Sequence, residues 1–267
     1  MKVWAIANQK GGVGKTTTAV NLAGLLTAAG RKTLVIDLDP HGSMSTYLGC
    51  SSHAVEQSAY QLFQEKSPGI SALIQPTKVP NLSILPASPA MVTLDRQLGV
   101  KEGKGLVIYD ALQSVIDDYA HVLIDCPPIL GVLMVNAMAA AQRLLIPVQT
   151  EFLAMKGLEQ MVRTLKMISQ ARGEVLPYTV VPTMYDRRTR AAREVLQHLR
   201  DTYPYNMWDH VIPVDTRFRE AAALGKPLCL LSPRSHGAMA YRRLLMSVLM
   251  MRDAPMQPTL SRKEKVS

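Results

Sequence analysis

The sequence predicts an α/β fold: a single domain built on a mostly parallel, twisted sheet with helices on both faces. Three observations carry this. Short apolar runs alternate with helix-length runs along the chain, the pattern of βαβ units. Several short runs, such as Val122-Leu123-Ile124, are apolar at every position, as strands covered on both faces must be. The first run, residues 3–7, leads into a glycine-rich turn and then a helical stretch.

In chain order, residues 3–7 form the first strand. Residues 16–29 read as a helix, with Gly30 placed to end it. Residues 33–38 form a second strand ending in acidic residues. Residues 51–80, rich in Ser, Gln and Pro, read as an irregular insertion with short helices. Strands follow at 82–85, 121–124, 144–148 and 178–181, with a short one at 211–212. Helices are expected at 108–119, 154–171, 191–201 and 238–251. The domain therefore spans 1–251. Residues 252–267 carry two prolines and scattered charges and read as a disordered tail.

Composition narrows the class. With 48% hydrophobic and 19% charged residues, the chain can fill a sizeable core. A net charge of +9 favours polyanions as partners. Three scattered cysteines, Cys50, Cys126 and Cys229, give neither a disulfide framework nor a zinc site. The longest apolar stretch, 129–141, is broken by Asn136 and is too short to cross a bilayer. No integral membrane segment is expected, and the expected location is cytoplasmic.

The glycine-rich turn carries the chemistry. It reads Lys10, Gly11, Gly12, Val13, Gly14, Lys15, Thr16, Thr17 between a strand and a helix, the setting of a P-loop. Glycines let main-chain amides close around phosphate oxygens, and the helix N-terminus adds unpaired N–H groups. Lys15 supplies a charge for the terminal phosphates, and the Thr16 hydroxyl is placed to ligate Mg²⁺. The generic pattern has Gly at the first position; here it is Gln9, followed by the additional Lys10. Three aspartates close apolar strands at their C-terminal ends, where ligands of parallel sheets bind: Asp37, Asp39 and Asp125. Asp125 suits a metal-holding role. Of Asp37 and Asp39, one carboxylate can hold water near the metal and the other can orient the attacking water, unless the Asp39-Pro40 pair serves only a turn.

The run from Lys10 to Thr16 matches K-G-G-x-G-K-[ST], and on it the chain resembles the deviant Walker A ATPases of the ParA/MinD family, Soj included. That resemblance implies an ATPase with ATP and Mg²⁺ as cofactors. It implies a homodimer when ATP is bound, with Lys10 reaching the partner's phosphates. It assigns Asp39 to hydrolysis, Asp37 to metal-linked water, and Met184 and Pro213 to the adenine pocket. Similar segments recur at 145–149, 183–189, 211–213, 225–227 and 233–238. The chain departs from the partition pattern at Val214-Asp215-Thr216 and at residues 219–223. Segments at 39–41, 128–132, 150–157, 183–191 and 213–219 resemble the ParC-type branch, which positions chemotaxis arrays at cell poles. The expected role is an ATP-gated positioning switch on nonspecific DNA, nucleoid-associated or polar, with a ParP-like adaptor. The alternatives are chromosome or plasmid partitioning with a ParB-like partner, or a MinD-like membrane-associated regulator.

The basic residues fit a polyanion. Arg190, Arg193, Gln197 and Arg200 fall within roughly an 80° sector of one helix, opposite Ala192, Val195, Leu196 and Leu199. A row of guanidinium groups can follow phosphates without reading bases. The resemblance adds Arg188 and Arg217 as positions that bind nonspecific DNA.

Overall fold

In the computed structural model, residues 1–50, 55–94, 97 and 105–255 are described. The strands are β1 (Lys2–Ile6), β2 (Thr33–Asp37), β3 (Gln75–Pro76), β4 (Leu82–Leu85), β5 (His121–Asp125), β6 (Arg143–Gln149) and β7 (Tyr178–Thr183). They form one seven-stranded sheet in the order β3-β4-β2-β5-β1-β6-β7. Every pairing is parallel except β3 with β4 at the edge.

Alternation along the strands divides the core in two. Val3 and Ala5 point to one face, and Trp4 and Ile6 to the other; Leu34 and Ile36 oppose Val35 in the same way. The first face is covered by helices Val107–Gln113, Val132–Ala140, Phe152–Arg172 and Arg190–Thr202. The second carries the helix Lys15–Ala28 that follows the glycine-rich turn, the short helix Leu228–Leu231 and the last helix, His236–Met250. Helix Lys15–Ala28 is nearly surrounded. A Cβ on Gly24 would meet Pro227 Cβ at 2.6 Å and Cys229 Sγ at 2.8 Å, so only glycine permits this approach. Gly30, at φ 73°, ends the helix as its position suggested.

Some elements differ from the sequence reading. The expected strand at 211–212 is not one: the Ile212 N–H reaches the Pro182 carbonyl at 2.8 Å, and pairing amounts to an isolated bridge between Tyr185 and Pro213. The helix expected at 108–119 stops at Gln113. Helix Val132–Ala140 lies within the stretch noted only for its apolarity. Arg252, Asp253 and Ala254, assigned to the tail, are docked onto the sheet. Asp253 pairs with Arg143 Nε at 2.7 Å and Lys2 Nζ at 3.3 Å, and the Ala254 N–H donates to the Gln142 carbonyl. Residues 256–267 of that tail, and 51–54 of the insertion, lie outside the described residues. No described helix is long and apolar enough to cross a membrane.

Candidate nucleotide site and basic cleft

The turn between β1 and its helix is held from outside. Asn8 donates to the Pro147 carbonyl at 2.7 Å and accepts from the Lys10 N–H, and Thr183 Oγ1 donates to the Val13 carbonyl at 2.9 Å. Gly12 and Gly14 take φ 74° and 90°, in the left-handed region that disfavours side chains. A Cβ on Gly11 would meet no protein atom within 4 Å, so glycine there leaves room rather than relieving a clash. Lys15 is buried, and its ammonium donates to the Lys10 carbonyl at 3.2 Å, inside the turn. Gln9, which takes the generic motif's first glycine position, donates to Thr164 of helix Phe152–Arg172 at 3.0 Å. Lys10 is ion-paired to Glu151 of its own chain.

The carboxylates converge at the strand ends. Asp37 and Asp125 are register partners on adjacent strands, and both are fully buried. Thr16 Oγ1 donates to Asp125 Oδ2 at 2.6 Å, while Asp125 Oδ1 is buried with no hydrogen-bond partner. Asp37 is held by the protein: its Oδ2 accepts from Ser45 N at 2.8 Å and Ser45 Oγ at 2.7 Å, and its Oδ1 accepts from the Asp39 N–H. Burial pushes Asp37 up to about 6 against the bonds from Ser45. Burial, and then the Asp37 charge, push Asp125 well above the usual carboxylate range. The strand ends at Asp37, so Asp39 does not share its side by alternation; Asp39 Oδ1 instead accepts from His41 N and Nδ1.

This arrangement fits magnesium. An orphaned carboxylate oxygen beside a threonine hydroxyl offers two ligands of the right hardness, and Mg²⁺ completes its shell with water and phosphate oxygens. No cluster of three or more His, Cys, Asp or Glu is found among the described residues. When bound there, the ion neutralises charge on the phosphates. Cys126, beside Asp125, is buried and its thiol is pushed up by that burial, so it is a core residue.

A cavity of about 520 Å³ opens next to the turn, lined by Gly14, Thr17, Met184, Pro213, Phe218 and Tyr241, among others. The two expected adenine-side residues thus meet beside the phosphate turn. Met184 has φ 53°, one of two non-glycine residues in the left-handed region among those described. On the other side of residues 213–216 lies a basic cleft of about 830 Å³, where Arg188 and Arg217 meet Arg187, Arg243 and His236. Arg190 and Arg193 do not line this cleft: Arg190 pairs with Glu194, and Arg193 donates to the Arg187 carbonyl.

Comparison with known proteins decides what this arrangement is. The AAA domain family description matches residues 1–176. The chain is 40% identical over 255 residues to the chromosome partitioning protein ParA of Caulobacter vibrioides, covering 93% of this chain and 94% of that protein. It is 36% identical to the sporulation initiation inhibitor protein Soj of Bacillus subtilis, over 92% of this chain and 98% of the other. Among solved structures, cobyrinic acid a,c-diamide synthase from Mycobacterium smegmatis with bound ATP analog and magnesium superposes at TM-score 0.80 with 32% identity, covering 96% of this chain and 99% of that one. The chain belongs to the ParA/MinD family of deviant Walker A ATPases.

Membership makes it a P-loop ATPase, and its turn and carboxylates fit ATP with Mg²⁺. Lys10, the first lysine of the K-G-G-x-G-K-T run, has Glu151 as counter-ion, which was missed in the sequence because the two are 141 residues apart. Ser45, which holds Asp37, was missed for want of any local pattern. Arg243 and His236 reach the cleft from the last helix, whose sequence reads simply as core packing.

Proposed function

We propose that this chain is a partition-type positioning ATPase: two ATP-bound copies close face to face, the dimer holds nonspecific DNA, and a ParB-like partner triggers hydrolysis. The observation that carries this reading is the meeting of Arg188 and Arg217 in one basic cleft directly behind the base-side cavity. Guanidinium groups in such a cleft neutralise phosphates without reading sequence. Closure is supported by exposed apolar residues at the same C-terminal end of the strands as the phosphate turn: Ile129 and Leu130 after β5, Phe152 and Leu153 after β6. In the closed dimer Lys10 exchanges Glu151 for the partner's phosphates, Asp37 holds metal-linked water through its neighbours, and Asp39 orients the attacking water. A second copy's lysine adds a cation where charge develops on the transferred phosphate.

The similarity to the chromosome partitioning protein ParA supports partition over the chemotaxis-array cargo expected from sequence. The departure at Val214-Asp215-Thr216 favours that array cargo, with a ParP-like adaptor, as the second reading. Filter retention of a random-sequence duplex, with and without ATP and Mg²⁺, tests the shared core of both: retention only with ATP supports it, and none in either condition contradicts it. Stimulation of hydrolysis by a ParB-like rather than a ParP-like protein then separates the two.

A further inference from the structure

We infer that His41 is a positioning residue for hydrolysis: its ring N–H and its backbone N–H both hold one oxygen of Asp39, which leaves the other oxygen aimed at the attacking water. The inference rests on the proposed assignment of Asp39 to that water, and adds which atom meets the water and what holds it in place.

The carboxylates at the strand ends differ in the oxygens that the protein leaves unbonded. Asp37 has none: its Oδ1 accepts from the Asp39 N–H at 3.2 Å, and its Oδ2 accepts from Ser45 N and Ser45 Oγ. Asp125 keeps Oδ1, which is buried and suits a cation. Asp39 keeps Oδ2, which takes no hydrogen bond among the described residues. The Asp39 side chain is 15% exposed and Oδ2 is not sealed in the core, so water can reach it.

The turn after β2 builds this geometry. Asp39, Pro40 and Gly42 stand at the first, second and fourth positions of a four-residue turn, where such residues are favoured. The Gly42 N–H donates to the Asp39 carbonyl at 2.8 Å, and Gly42 takes φ 62°, in the left-handed region. The helix Ser43–Tyr47 follows at once and supplies the Ser45 that holds Asp37. Within the turn, Asp39 Oδ1 accepts from the His41 N–H at 3.0 Å and lies 2.8 Å from the ring Nδ1. An ionised carboxylate only accepts, so Nδ1 carries the proton in this contact. The backbone donor is available to any residue but proline at position 41, whereas the second donor belongs to the imidazole. Two donors on one oxygen stop the carboxyl from turning about its bond to Cβ.

This matters for the chemistry assigned to Asp39. The water oxygen bonds to the terminal phosphorus of ATP as the bond from that phosphorus to the ADP oxygen breaks. The water's proton passes to Asp39 Oδ2 and on to the released phosphate. A carboxyl that cannot turn keeps Oδ2 on that water, and loss of such alignment slows a reaction without loosening the substrate. The His41 side chain is 81% exposed and makes no other hydrogen bond among the described residues, so replacing it removes this contact and little of the fold.

The test measures kcat and KM for ATP by phosphate release in Mg²⁺, with dimer mass by light scattering, for wild type, His41→Leu and His41→Asn. His41→Leu is expected to lower kcat about tenfold, less than the loss of Asp39 itself, and to leave KM and dimer mass within about twofold. His41→Asn, whose amide N–H stands where the ring N–H does, is expected to bring kcat back to within about threefold of wild type. In an Asp39→Ala background, His41→Leu is expected to cost nothing further, because the group it aims is gone. An unchanged kcat in His41→Leu, a His41→Asn as slow as His41→Leu, or an equal further loss in the Asp39→Ala background overturns the positioning role. So does a fall in dimer mass that accounts for the fall in kcat, which assigns His41 to closure. Wild-type kcat in Asp39→Ala alone overturns the reading of Asp39, and the role of His41 with it.

Discussion

Lys10, the deviant lysine of the phosphate turn, is ion-paired to Glu151 of its own subunit, the N-cap residue of helix Phe152–Arg172. The side chains are 29% and 42% exposed, so solvent screens the pair and it is worth roughly 0.2–1 kcal/mol. To reach a partner's phosphates, as proposed above, Lys10 has to give up this contact. Two such pairs are given up per dimer, so Glu151→Gln is expected to strengthen ATP-dependent dimerisation by about two- to thirtyfold, a range set by twice that screened pair energy. Sedimentation velocity across a concentration series reads it. Weaker dimerisation in this variant means that Glu151 serves the closed state instead.

The buried pair Asp37 and Asp125 sets a pH dependence for the ligand-free protein. Both carboxyls are raised, Asp37 to about 6, so between the ordinary carboxylate range and about 6 the folded state holds more protons than the unfolded chain. Stability from these groups is full at low pH and is lost as pH rises through the folded value. Asp125→Asn, which removes one buried ionisable carboxyl, is expected to stabilise the ligand-free protein more at high pH than at low pH. It should weaken Mg²⁺-dependent ATP binding at the same time. Thermal melts at pH 5 and pH 8, with and without ATP and Mg²⁺, check both halves.

The basic cleft gives a salt signature. Arg188→Ala and Arg217→Ala are each expected to lower the slope of log affinity for duplex DNA against log salt by about one. Arg190→Ala and Arg193→Ala, outside the cleft, are expected to cost less than either. Equal losses from all four would move the DNA surface onto the exposed face of helix Arg190–Thr202.

Much of this was legible in the sequence, for a physical reason. Strands buried on both faces are apolar throughout, and a phosphate turn needs its glycines and lysine in a fixed local order, so both are written contiguously. Helix Val132–Ala140 was not legible because it is buried on almost every side and has no amphipathic period to read. Arg217–Ala223 is too short to show one. The arrangement of the site depends on how the sheet gathers its loops: Asp37 bonds to Ser45, Lys10 pairs with Glu151, and Arg188, Arg217 and Arg243 line one cleft. The 211–212 run is apolar like a strand, but only Pro213 bridges to Tyr185 before the chain turns away into the wall between the two cavities.

Asp39 lies beyond the end of β2, and its carboxylate accepts from His41 rather than holding the sheet. Asp39→Ala is therefore expected to leave ATP binding within about threefold of wild type and to slow hydrolysis by about a hundredfold or more, the range for losing a group that handles the reacting proton. Calorimetry and a phosphate-release assay separate the two effects.

The most direct measurement is light scattering on the Asp39→Ala protein in ATP and Mg²⁺, beside Lys15→Ala under the same conditions. Two copies closed over nucleotide through the turn at residues 10–17 should give Asp39→Ala twice the mass of one chain only when ATP is present, and Lys15→Ala one chain's mass throughout. A single-chain mass for Asp39→Ala in saturating ATP, or a dimer that forms equally well without nucleotide, would contradict it.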